Sequence, residues 1–136
     1  MPHSHRELFY HLVWSTKGRL PSITPSLRPV LIELLRSKAT ALGCQVFALN
    51  CLADHVHLLL YVPPHHALAR VIRELKGGSS YGLRRRSSDF AWQEGYGVLT
   101  LRRSNLPAVK TYIENQEEHH HLGTIDRDLE DDTPSD

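Results

Sequence analysis

Asp54-His55-Val56-His57-Leu58-Leu59-Leu60 is the stretch whose reading decides the fold. Its apolar run, stopped by Pro63-Pro64, predicts a strand over residues 55–62. Side chains on a strand alternate faces, so His55 and His57 share one face and Val56 takes the other. Outward from this strand, residues 46–51 read as its hairpin partner, joined by a tight turn around Leu52-Ala53-Asp54.

Further upstream, residues 8–15 (Leu-Phe-Tyr-His-Leu-Val-Trp-Ser) are rich in β-formers and predict a first strand, broken by Lys17-Gly18-Arg19-Leu20-Pro21. Between the two strand regions, Leu27, Val30, Leu31, Leu34, Leu35 and Leu42 recur with helical spacing. Ser26 is the expected N-cap, Pro29 falls in the tolerant first turn, and Gly43 ends the helix. Downstream, Leu68, Val71, Ile72 and Leu75 mark one face of a second helix, expected to be interrupted at Gly77-Gly78. Residues 98–101 form a short fourth strand, and a last helix runs from Asn105 to about His120. The order β-α-β-β-α-β-α predicts an α+β fold. Its plan is the ferredoxin-like β-α-β-β-α-β antiparallel sheet with helices on one face, plus a C-terminal helix. Strands one and three are central in that plan, which puts His55 and His57 in mid-sheet.

The charge balance divides the chain. Residues 123–136 hold six acidic side chains against Arg127 alone, while residues 1–122 carry fifteen basic and nine acidic ones. The first segment is expected to be one folded domain of net positive charge, compatible with a polyanionic partner. The second, without apolar periodicity, is expected to be a disordered acidic tail. No apolar stretch approaches the roughly 20 residues that span a bilayer, and Met1–Arg6 does not lead into a signal-peptide pattern. Cys44 and Cys51 flank a strand whose seven extended residues span roughly 23 Å, too far for a disulfide. A reducing cytoplasm and no membrane association are expected.

Two imidazoles on one face of a rigid strand make half of a divalent-metal site, and imidazoles set among apolar residues need partners for their nitrogens. On the last helix Leu106, Val109 and Ile113 form a core-facing stripe, and Tyr112 and Gln116, one turn apart, share an adjacent one. Taken singly, each feature is better accounted for by a solvated sheet face or a rim tyrosine. Combined, they suggest Mg²⁺ or Mn²⁺ held by two imidazoles and an amide oxygen, with Tyr112 attacking a phosphodiester. Lys17, Arg19, Lys76, Arg84, Arg85 and Arg86 are candidates for phosphate contacts. Trp92 is a candidate for base stacking, and Trp14 is expected in or beside the core. His65-His66 and His119-His120-His121 lack cysteines at structural-zinc spacing, so no zinc finger is expected.

Five segments carry a resemblance: residues 11–17 (His-Leu-Val-Trp-Ser-Thr-Lys), 54–59 (Asp-His-Val-His-Leu-Leu), 75–80 (Leu-Lys-Gly-Gly-Ser-Ser), 92–97 (Trp-Gln-Glu-Gly-Tyr-Gly) and 112–120 (Tyr-Ile-Glu-Asn-Gln-Glu-Glu-His-His). In order and spacing they resemble the HUH-type single-tyrosine transposases of bacterial insertion sequences that move as single-stranded DNA. The resemblance extends to the relatives associated with repetitive extragenic palindromes. It implies that His55 and His57 are the metal pair, Tyr112 the nucleophile and Gln116 the third ligand. It also implies a homodimer that cleaves and rejoins single-stranded DNA beside hairpins through a covalent 5′-phosphotyrosine. Two other readings stand beside it: a non-catalytic binder of palindromic hairpins or structured RNA, and a metal-dependent phosphodiesterase using water.

Overall fold

The computed structural model describes residues 8–116. The expected boundary at residue 122 and the acidic tail lie outside the described residues; the last helix, expected to run to about His120, ends at Glu114 with Asn115 as its C-cap. Four strands, β1 (Phe9–Ser15), β2 (Gln45–Cys51), β3 (His55–Tyr61) and β4 (Gly97–Leu101), alternate with α1 (Arg28–Ala41), α2 (Leu68–Arg84) and α3 (Leu106–Glu114). The sheet order is β2-β3-β1-β4, with every neighbouring pair antiparallel. β1 and β3 are central, as the ferredoxin-like plan requires.

Alternation divides the sheet into two apolar faces. Leu12, Trp14, Val56, Leu58 and Leu60 pack under α1 and α2 with Leu31, Leu35, Ile72 and Leu75. Phe9, Ala48 and Leu59 pack on the opposite face under Leu106, Val109 and Ile113 of α3. The apolar stripe of α3 therefore anchors the helix on the same face as the two histidines. Trp14 is fully buried in the first core, and both cysteines are free and buried.

A register shift between Val46 and Ala48 places a bulge in β2. One extra residue inverts the facing of everything beyond it. Val46 pairs with Leu60 on the α1/α2 side, yet Asn50 pairs with His57 and faces α3.

Two local expectations are corrected. The helix expected to break at Gly77-Gly78 runs unbroken from Leu68 to Arg84. Packing explains this: a Cβ at Gly78 would lie 2.9 Å from Lys38 Cε, and one at Gly82 would lie 2.8 Å from a Leu34 methyl. A small residue at 82 lets α2 approach α1, while the flexible end of Lys38 can give way at 78; the packing of Val71, Ile72, Leu75 and Leu83 into the core outweighs glycine's poor helix propensity. The start of α1 is turned by Thr24, not Ser26. The Thr24 carbonyl accepts from Leu27 and Arg28, and its hydroxyl also accepts from Leu27. Gly43, at φ +77, ends the helix in the left-handed conformation expected of a C-terminal glycine.

Candidate active site

β3 carries His55 and His57 on the α3 face, with ring centroids 5.0 Å apart. Both are buried, His57 completely. Each ring is held through Nδ1. His55 Nδ1 donates to the Asp54 carboxylate at 2.7 Å, which fixes the proton on Nδ1 and makes Nε2 the basic nitrogen. His57 Nδ1 lies 2.8 Å from Nε2 of His11, which reaches it from β1. With His57 Nδ1–H donating to His11, Nε2 becomes the basic nitrogen of His57 as well.

Asp54 is itself supported. Arg19 Nε lies 3.7 Å from its second oxygen, and the Arg19 guanidinium also donates to Ser15 Oγ at 2.9 Å. Arg19 holds a left-handed backbone, φ 52, a conformation costing a non-glycine residue on the order of 1 kcal/mol. The strain is tolerated where the side chain meets Asp54.

Tyr112 approaches from α3 with its ring 6.3 Å from that of His57, edge to face. Asn50 ties down the end of this helix. Asn50 donates from Nδ2 to the Ile113 carbonyl at 2.9 Å, and its Oδ1 accepts from Arg28 at 2.8 Å. The last carbonyls of a helix lack intrahelical donors, so Asn50 satisfies one and thereby positions the turn carrying Tyr112. Gln116, fully buried, donates from Nε2 to the Tyr112 carbonyl at 3.3 Å, which gives its Oε1 the acceptor role.

His55, His57, Tyr112 and Gln116, far apart in sequence, thus gather on one face of the fold. Among the described residues, no three His, Cys, Asp or Glu side chains form a metal-binding cluster. The groups here that could hold a metal are the two imidazoles and the Gln116 amide oxygen. Such a set fits a divalent ion that must keep positions for phosphate oxygens.

The basic candidates are more dispersed. Lys17 is exposed beside Arg19. Lys76 Nζ donates to the carbonyls of Gln93 and Gly95 at 2.7 and 2.8 Å. Arg84 ends α2, where its charge complements the helix dipole. It lines one cleft, while Arg85 and Arg86 line another of about 460 Å³.

Three residues of the site were not singled out from sequence. His11 and Asp54 lie in stretches that carry no local signal of a supporting role. Asn50 had no signal, since its facing depends on the bulge.

The family profile described as Transposase IS200 like matches residues 4–116. The ISDra2 transposase TnpA of Deinococcus radiodurans is 29% identical over 118 residues, covering 81% of this chain and 84% of its own. The transposase for insertion sequence element IS200 of Salmonella typhimurium is 28% identical over 131 residues, 90% of this chain and 86% of its own. A crystallised Deinococcus radiodurans R1 protein assigned as a transposase superposes with a TM-score of 0.69 at 30% identity, over 85% of this chain and 96% of that one. A tyrosine transposase bound to a REP hairpin superposes with a TM-score of 0.68 over 88% of this chain and 74% of that one; its 14% identity speaks to the fold. No helix among the described residues is long and apolar enough to cross a membrane.

Proposed function

This chain belongs to the IS200-like transposase family, and on that premise we propose that it cleaves and rejoins single-stranded DNA beside hairpins with Tyr112 as nucleophile. The observation that carries the reading is Tyr112 standing edge-on to the buried His57, whose ring is hydrogen-bonded to His11. The phenolic oxygen attacks phosphorus, the P–O3′ bond breaks, and the proton lost by the phenol ends on the departing 3′ oxygen. DNA is left joined to Tyr112 through its 5′ phosphate. Attack on that linkage by a 3′ hydroxyl reverses the step and rejoins a strand, with the bond energy conserved.

A divalent ion, Mg²⁺ or Mn²⁺, supplies charge at the scissile phosphate when bound by His55, His57 and Gln116. Asp54 and His11 keep the two rings in the ligating tautomer, and Asn50 holds the nucleophile's helix against the sheet. Lys17, Arg19 and the Arg84–Arg86 run contact phosphates. The relative bound to a REP hairpin supports a hairpin substrate. The working unit is a homodimer, a reading supported by β4, whose outer edge can accept a further strand.

Incubation with 5′- and 3′-labelled hairpin oligonucleotides from the DNA flanking the gene, in Mn²⁺, Mg²⁺ or EDTA, tests this on a denaturing protein gel. A metal-dependent adduct carrying only the 3′ portion of the DNA is expected. It should vanish in Tyr112→Phe while hairpin binding persists. Cleavage without an adduct would assign the nucleophile to water, and binding with neither would assign the chain to hairpin recognition alone.

A further inference from the structure

The glycines of α2 do not all have the same reason to be glycine. Gly78 and Gly82 lie against Lys38 and Leu34 of α1, as described. Gly77 does not: a Cβ there would meet nothing within 4 Å. It is exposed near the middle of a 17-residue helix, where glycine is the least favourable residue except proline. Nothing among the described residues requires it.

Gly77 faces a cleft of about 640 Å³ whose opposite wall is the 91–96 loop, with Trp92 and Tyr96. That volume lies within the roughly 300–1,000 Å³ of small-ligand sites. The wall is rigid. Trp92 is packed edge to face on Phe90 at 4.8 Å and on Trp14 at 5.8 Å, and its Nε1–H donates to Ser79 Oγ at 3.0 Å. The two bonds from Lys76 to the Gln93 and Gly95 carbonyls clamp the loop to α2. Arg73 and Arg84 flank the cleft on α2, with Glu94 as the acid on its rim.

The cleft also adjoins the catalytic end of the sheet. Trp92 bridges to Thr16, and the Gln93 amide donates to the Ser15 carbonyl at 2.8 Å. Ser15 is in turn the strand partner of His55. The cleft opens on the α1/α2 side of the sheet and His55 and Tyr112 lie on the α3 side, so a polynucleotide held there reaches this opening by passing round that end of the sheet.

We infer that the cleft between α2 and the 91–96 loop receives one unpaired base of the DNA strand, which stacks on Trp92 and lies against the bare backbone of Gly77. The inference rests on the reading of single-stranded DNA as substrate. A flat aromatic wall stacks with any base, and flanking guanidinium groups suit the phosphates on either side. A side chain at position 77 would occupy the space the base needs.

The test measures binding by the full chain in EDTA, which separates it from cleavage. The probes are a fluorescent hairpin oligonucleotide with unpaired flanks from the DNA beside the gene, and versions with one abasic residue at each unpaired position. For the wild type, one abasic position should weaken binding by about 5- to 100-fold, the range that loss of one stacked base gives. Gly77→Leu and Trp92→Ala should bind the intact oligonucleotide more weakly by a similar factor and no longer sense that abasic position. Leucine is a better helix former than glycine, so Gly77→Leu should melt no lower than the wild type, which excludes misfolding as the cause.

If Gly77→Leu binds as the wild type does, or both variants still sense the abasic position, the inference is overturned while adduct formation leaves the transposase reading standing. If the wild type neither binds hairpins nor forms the adduct, that reading falls and takes the inference with it.

Discussion

Replacing Asp54 with alanine tests the proposed metal site separately from the fold that carries it. The carboxylate accepts from His55 Nδ1 at 2.7 Å while its own side chain is one-third exposed. A buried charge-assisted bond of this kind is worth roughly 1.5–3 kcal/mol. Because water reaches Asp54 and can replace it in part, the loss of apo stability should fall just below that range, at about 1 kcal/mol. The Arg19 contact at 3.7 Å, with the guanidinium half exposed, adds little to that. A loss of this size lowers the melting temperature by roughly 4–8 °C in a domain near 100 residues.

The larger effect falls on the ion. Without the carboxylate, His55 loses the bond that fixes its tautomer and ring orientation. Loss of such a support costs roughly 10- to 100-fold in metal affinity, or about 1.4–2.8 kcal/mol. Mn²⁺ titration followed by electron paramagnetic resonance should show this weakening in Asp54→Ala, a smaller one in Asp54→Asn, and loss of the site in His55→Ala. Hairpin binding in EDTA should hold in all three. Unchanged Mn²⁺ affinity in Asp54→Ala, with the site lost in His55→Ala, would refute the supporting role of Asp54.

Asn50→Leu should reduce adduct formation by an order of magnitude or more, because a nucleophile misplaced by about 1 Å can cost up to 100-fold; hairpin affinity measured alongside should change little. Gly82→Ala should lower stability in urea unfolding by about 1 kcal/mol, since its Cβ would press on both Leu34 methyls, at 2.8 and 2.9 Å. Gly77→Ala should instead raise stability by about 1 kcal/mol. Burial pushes the Cys51 thiol from 9.0 up to about 12, so the fold favours the protonated form. That contribution is intact below about pH 9 and is lost as pH rises toward 12. The gap between urea midpoints of the wild type and Cys51→Ala should therefore shift against the wild type between pH 8 and 11.

Much of the site was legible because its signals are local. Alternation on a strand places His55 and His57 together whatever the rest of the chain does, and helical spacing links Tyr112 to Gln116. The order of apolar segments led to the sheet plan, which made β3 central. The stripe of Leu106, Val109 and Ile113 then determined which side of α3 meets the sheet.

The remainder depends on partners distant in sequence. Gly77-Gly78 looks like a helix break because propensity is a local quantity, and only the packing of α2 into the core, with Gly82 against Leu34, reverses it. His11 becomes the support of His57 through a strand register that joins residues 46 positions apart. Asn50 faces the catalytic helix because one bulged residue in β2 inverts the alternation before it. The chain's own order of residues determined which groups are candidates to bind a metal ion and attack a phosphate. Tertiary structure alone decided which groups hold them in place, because a supporting hydrogen bond needs both partners on one face at one depth, and pairing register sets that.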